Sequence, residues 1–302
     1  MNGALLLGVV ASSVMSGTSL LYATIGEILG ERAGVVNLGL EGIMLIGAAT
    51  GFAATALTGD AYLGVAAAAL AGTAVNLLFA YLVVGRHANQ LATGLTLMFF
   101  GLGLSALIGR PFVGTLIAGL PRVHPFGLGS MANPTLSYDI LVYLAVPTAL
   151  LVWWLLFRTT WGLGLRAVGE SPVAAVAAGL HPGRIQYQAL GLAGLLGGVA
   201  GAHLSLAVTM TWAEGMTGGR GFIAVALVIF ARWNPLWAIV GALLFGGAES
   251  LQLQLQAAGA DVSPFIMNMV PYLLTLAVLV TWGWRRQGAA PAALGRNFVG
   301  VE

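Results

Sequence analysis

The chain contains no cysteine, and its twelve basic residues are all arginine, so lysine is absent as well. Charge of either sign is scarce: only 7% of the 302 residues are charged, against about 25% in a soluble domain. Each absence removes chemistry. Without lysine there is no Walker A phosphate loop of the usual kind, so the chain is not expected to hydrolyse ATP itself. Schiff-base catalysis, thiol nucleophiles and thiolate metal sites are also excluded. No Gly-x-Ser-x-Gly elbow occurs, and no His/Asp/Glu set has metal-site spacing. The chain reads as a non-enzyme, with no metal and no cofactor of its own.

What is present is apolar length. The chain is 59% hydrophobic, with mean hydropathy +0.93. This predicts an all-α, polytopic membrane bundle, one transmembrane domain over residues 1–302. Sparse charges mark the breaks between spans, expected at 1–26, 33–59, 61–84, 88–109, 140–157, 185–207, 222–231, 236–256 and 264–284, about nine in all. The first has no basic n-region and no clean cleavage site, so it is not read as a signal peptide. The stretch 222–231 is too short to cross alone, and must borrow residues from 216–221 or lie buried in protein. Residues 110–139, with Pro111, Pro121, Pro125 and Pro134, read as a loop, and Pro147 predicts a kink in its span.

Arginine placement sets the orientation. With the loop 158–184 in the cytoplasm, nine crossings put Arg32, Arg86, Arg158, Arg166, Arg184, Arg232, Arg285, Arg286 and Arg296 inside. Arg110, Arg122 and Arg220 then fall outside, as does the N-terminus. The loop 110–139 becomes external and the tail 285–302 cytoplasmic.

Within the inner loop, Glu170-Ser171-Pro172 through Gly179 spells a short capped helix near 171–178. Ser171 suits the N-cap, Pro172 the first turn and Gly179 the left-handed position past the end, while Pro182 prevents continuation. Such a helix, flanked by Arg158, Arg166 and Arg184, is either a docking handle for a soluble partner or an ordinary interfacial helix. Glycines four apart (Gly26, Gly30 and Gly34; Gly47 and Gly51; Gly194 and Gly198; Gly197 and Gly201) suit close helix packing in lipid.

Polar residues inside apolar stretches are costly and face protein or water. Asn37, Glu41 and Met44 would share one helix face, as would Glu249, Gln252 and Gln256. Asn76 and His203 stand in further spans. Two readings compete for Glu41 and Asn37: they line a translocation path, or they tie helix ends together, through Arg32 for Glu41. Glu249 lines the path or pairs with an arginine, and His203 reads as a packing residue.

Three stretches carry a family resemblance. Glu31-Arg32-Ala33-Gly34-Val35-Val36-Asn37-Leu38-Gly39 followed by Glu41-Gly42 resembles a signature of ABC-importer permeases of the branched-chain amino acid, ribose and nucleoside type, and looks most like the nucleoside branch. Gly164-Leu165-Arg166-Ala167-Val168-Gly169-Glu170-Ser171-Pro172 with Ala174, Ala175 and Gly179 resembles that family's coupling helix. Gly218-Gly219-Arg220-Gly221-Phe222-Ile223-Ala224 is similar to a third family stretch. The simple-sugar branch shares parts of all three.

The resemblance implies a permease subunit of an importer in the bacterial inner membrane, surrounded by lipid, with no nucleic-acid partner. It implies a separate ATPase that binds ATP and Mg, a second permease subunit such as a paralogue, and an extracytoplasmic solute-binding protein. Arg166, Gly169, Glu170, Ser171, Pro172, Ala174, Ala175 and Gly179 would form the coupling element. Asn37, Glu41, Asn76, Phe222, Glu249 and Gln252 are the candidates for the translocation path. The implied mechanism is ATP-driven alternating access, with nucleosides as solute and simple sugars as the alternative. An ion-coupled carrier acting alone is the alternative from another class, weakened because Glu249 is the only strong mid-membrane acid this reading finds.

Overall fold

A computed structural model describes residues 3–123, 137–257 and 290–296, with scattered helical positions between 269 and 280. Ten α-helices occur among them: α1 (Gly3–Arg32), α2 (Leu40–Thr58), α3 (Ala61–Ala80), α4 (Gln90–Gly109), α5 (Ile140–Arg158), α6 (Thr160–Glu170), α7 (Pro172–Ala177), α8 (Pro182–His203), α9 (Arg220–Phe230) and α10 (Pro235–Ala257). A π-turn extends α3 to Gly85 and another extends α8 to Val208. The expected outer loop contains a 3-10 turn (Arg110–Phe112) and a two-residue antiparallel pair, with Arg122 opposite Asp139.

Polar residues at the breaks write the helix ends. Asp60 caps α3 by accepting the N–H groups of Tyr62 (2.8 Å) and Leu63 (3.4 Å), and Asn89 caps α4 through Ala92 N–H (3.0 Å). Gly59 ends α2 in the left-handed region, at φ 75°. Pro147 lies within α5, and the helix continues through it to Arg158. Asp139 caps α5 through Leu141 N–H (2.9 Å) and Val142 N–H (3.3 Å). Its second oxygen lies 3.6 Å from Nε2 of His203, which is fully buried. Burial alone would raise the Asp139 pKa, but His203 and the two capping N–H groups outweigh it and hold the carboxyl below its ordinary value.

Seven described helices are long and apolar enough to cross a membrane: α1, α2, α3, α4, α5, α8 and α10. The expected count of about nine differs for two reasons. The seventh expected crossing, α9, is an 11-residue helix, about 16 Å long against a core of about 30 Å. The ninth, 264–284, lies mostly outside the described residues, as do 124–136 of the outer loop and most of the tail 285–302.

α2 and α8 run through the middle of the bundle and are mostly buried, whereas α4 and α5 keep more of their surface open. Lipid is as apolar as leucine, so close backbone contact does more than apolar burial to hold such helices together. Gly198 of α8 has no room for a Cβ against the Ala68 carbonyl of α3, and Gly47 of α2 abuts the Gly198 backbone.

One end of the bundle is defined by α7. There α1 ends, α8 begins and α9 ends: Gln186 donates to the Ala33 carbonyl (3.1 Å) and the Arg32 guanidinium to the Trp233 carbonyl (3.0 Å). The described tail residues lie here too, with Ala293 N–H on the Gly169 carbonyl (2.9 Å) and Gln90 on the Arg296 carbonyl (3.2 Å).

Candidate functional site

Two features stand out, a polar hub within the bundle and a handle at its α7 end. The hub begins where the 33–39 segment turns back into the bundle. These residues are not helical, so Asn37 stands in a loop and does not share a helix face with Glu41 and Met44, contrary to expectation. Hydropathy reads 33–59 as one apolar run and carries no signal of the change in backbone. The loop is held by side chains reaching in from neighbouring helices. Asn37 N–H donates to Glu27 (2.9 Å), Asn37 Nδ2 to Asn76 Oδ1 (2.8 Å), and Asn76 Nδ2 to the Leu190 carbonyl (2.6 Å). Asn37 and Asn76 are 2% and 1% exposed, so this chain of hydrogen bonds joins α1, α3 and α8 in the interior.

Glu41 follows, one residue into α2 and 6% exposed. Its Oε1 accepts the Thr217 hydroxyl (2.6 Å) and Gly219 N–H (2.8 Å), and its Oε2 accepts Gly221 N–H (2.6 Å). Gly219, the N-cap residue of α9, has no side chain to offer, so a carboxylate from α2 satisfies the free N–H groups at the start of α9. The expected tie from Glu41 to Arg32 is not made, because the Arg32 guanidinium donates to backbone carbonyls at Trp233 and Arg232.

Arg220, counted outside by the charge pattern, instead enters the bundle at this point. Its guanidinium pairs with Glu249 of α10 and donates to Ser19 of α1 (3.3 Å). Glu249 therefore follows the arginine-pair reading. Its side chain is still 35% exposed; Phe222, two residues past Arg220 on α9, is 40% exposed, and Gln252 on α10 is half-buried.

The segment expected as a short crossing, the broken crossing, is thus interrupted. Residues 209–219 run from the far end of α8 to Glu41, and α9 continues from there toward Trp233. Within this irregular segment Trp212 and Thr217 are buried, whereas Ala213, Glu214, Gly215 and Gly218 are exposed. Sequence reasoning missed two further acids, Glu27 and Glu31, by placing them in a polar break. Both lie in α1 and are buried, and Glu31 accepts the Trp233 indole N–H (2.6 Å).

The handle is built from α6 and α7. Arg166 of α6 stacks over Phe157 at 5.1 Å, on the same ring that Arg32 approaches at 5.7 Å. A Cβ on Gly169 would strike the Arg32 carbonyl, so glycine is required for α6 to meet the end of α1. Glu170 is exposed and accepts Ala292 N–H (3.3 Å). Ser171 caps α7 through Ala174 N–H (3.3 Å), Pro172 opens it, and Gly179 follows at φ 81°. Along α7, Ala175 is 2% exposed and anchors the helix, while Ala174 is exposed and Val173 and Val176 stand out at 58% and 44%. Two valines left in the open on a helix fixed from below form a small apolar tip.

Comparison with known proteins decides the family. Residues 9–279 match the family model described as branched-chain amino acid transport system, permease component. The chain belongs to this permease family.

The permease is 39% identical to the putative glucose ABC transporter permease protein TsgC13 of Haloferax volcanii, over 96% of this chain and 97% of that protein. It is 30% identical to the guanosine ABC transporter permease protein NupQ of Bacillus subtilis, and 30% to the nucleoside ABC transporter permease protein NupC of Lactococcus lactis, each over 96% of both chains. No solved structure matches. The permease is therefore a multi-pass membrane protein and the transport subunit of a sugar/nucleoside ABC importer, not an enzyme. Permease components of this kind work with an ATPase and a solute-binding protein.

Proposed function

We propose that the permease carries nucleosides into the cell by alternating access, driven by an ATPase seated on α7 from the cytoplasm. The observation that carries this reading is the α7 tip. Val173 and Val176 are exposed on a helix anchored where α1, α6, α8 and the tail meet, so a force applied there reaches several crossings. ATP and Mg belong to that ATPase, and a second permease subunit, such as a paralogue, faces this one. Arg166, Gly169 and Ala175 position the coupling element, while Val173, Ala174 and Val176 meet the ATPase. The Arg220–Glu249 pair, with Phe222 and Gln252, borders the path. Asn37, Asn76 and Glu41 hold the segments that move.

Nucleosides are favoured because two relatives that align along nearly their whole length are named for guanosine and nucleoside transport. A simple-sugar solute is the second reading, favoured by the 39% identity to a putative glucose permease. An ion-coupled carrier is disfavoured, because these acids within the bundle are occupied: Glu27 by Asn37 N–H, Glu31 by Trp233, Glu41 by three donors and the partly exposed Glu249 by Arg220.

The test is uptake by the whole importer (permease, ATPase and solute-binding protein) in proteoliposomes. With ATP, labelled guanosine should accumulate at least about tenfold faster than labelled glucose, a difference of about 1.4 kcal/mol in transition-state preference. A sodium or proton gradient without ATP should drive neither. Faster glucose uptake would select the sugar reading, and gradient-driven uptake would refute the motor.

A further inference from the structure

At the end of the bundle opposite α7, a cavity of about 630 Å³ opens between the end of α4 and the start of the broken crossing. Gln90, the first residue of α4, bonds the tail beside α6, so Gly109 at the other end of α4 is remote from the ATPase side. The volume falls within the roughly 300–1,000 Å³ of small-molecule sites. Its wall is mostly apolar, made by Leu107, Val113 and Trp212 among others, and carries one cation and one carboxylate, Arg110 and Glu214.

Both charged residues are exposed, and no described ion pair joins them to each other or to another group. Trp212 packs on the Gly109 backbone and is 4% exposed, and its indole N–H has no acceptor among the described residues. The walls are fixed from outside: Ile117 N–H and Leu120 N–H donate to the Met210 (3.3 Å) and Leu206 (2.9 Å) carbonyls. Met210 itself sits at φ 51°, a left-handed backbone unusual for a branchless apolar residue.

We propose that this cavity is the permease's own solute site, and that it takes a neutral ring bearing vicinal hydroxyls. The apolar wall covers the ring face. Arg110 donates to, and Glu214 accepts from, adjacent hydroxyls, an arrangement that suits a diol and gives a neutral solute both of its hydrogen-bonding needs. Nucleosides and simple sugars share this chemistry. The cavity also adjoins the 209–219 segment, whose inner end is Glu41's anchor, so occupancy bears on the backbone that must move for the solute to pass. This inference rests on the proposed solute class and adds residues that the sequence reading did not select.

The chain lacks cysteine, so Ala213→Cys, at an exposed position lining the cavity, creates a unique thiol. In the assembled importer without its solute-binding protein, maleimide labelling of this thiol should be slowed by guanosine, by glucose or by both, and the stronger protector identifies the class. Adding Arg110→Ala or Glu214→Gln, both at exposed positions, should raise the half-protecting concentration about tenfold or more, the loss expected for a hydrogen bond to a charged group. No protection by either solute, or protection indifferent to both substitutions, would overturn the site. An importer that accumulates guanosine or glucose while the thiol stays unprotected would refute the cavity and leave the transport reading intact. Protection in an importer that accumulates neither would do the reverse.

Discussion

Val173→Asp is expected to cut ATP-driven uptake at least about 100-fold while the permease still inserts and remains folded. Val173 is 58% exposed, so the substitution leaves the bundle's own packing alone. If the tip seats in an apolar groove of the ATPase, the aspartate is buried there without a partner, at a cost of several kcal/mol. A loss of 2.7 kcal/mol already weakens docking about 100-fold. Val176→Asp should behave alike, and Val173→Ala should be mild. Ala175 is different: at 2% exposure a bulky charge there would lower thermal stability before it tested docking. Uptake by Val173→Asp within about twofold of wild type would remove α7 from the coupling role.

Glu41→Gln should lower both stability and uptake, by more than removal of any one of its partners. The carboxylate uses both oxygens, one for Thr217 and Gly219 and the other for Gly221. An amide keeps only one oxygen, and its NH2 group faces a backbone donor or the Thr217 hydroxyl. Hydrogen bonds to charged groups contribute about 1.5–3 kcal/mol each, so Glu41→Gln should cost about 2–3 kcal/mol and Glu41→Ala more. Thr217→Val, which removes a single bond, should cost about 1.5 kcal/mol, the low end of that range. Thermal unfolding in detergent reads stability, and uptake per folded complex reads function. The broken crossing depends on this anchor, so uptake should fall about tenfold or more even where folded protein is recovered. A Glu41→Gln protein as stable and active as wild type would show that the anchor is dispensable.

How much of this was legible in the chain depends on the kind of signal. The α7 cap was, because Ser171, Pro172 and Gly179 act locally and each left its mark at the expected place. The long crossings were, because hydropathy over about twenty residues is a strong signal. The hub was not. Asn37 was placed on a helix because an apolar run hides a change of backbone, and Arg220 was placed outside because a charge looks like a loop until its partner on α10 is known. Glu27 and Glu31 looked like a polar break for the same reason, and Trp233, which satisfies Glu31, lies far along the chain. The tail contacts on Gly169 and Glu170 left no pattern at all, since the tail makes them with backbone N–H groups.

The central claim is that this permease is a gate moved from its α7 end by a separate ATPase. Because the chain has no cysteine, Val173→Cys provides a single thiol at the tip. An impermeant maleimide should label it only from the cytoplasmic side of oriented vesicles, and bound ATPase should protect it. Labelling from the outer side, or a labelling rate unchanged by the ATPase, would contradict the account.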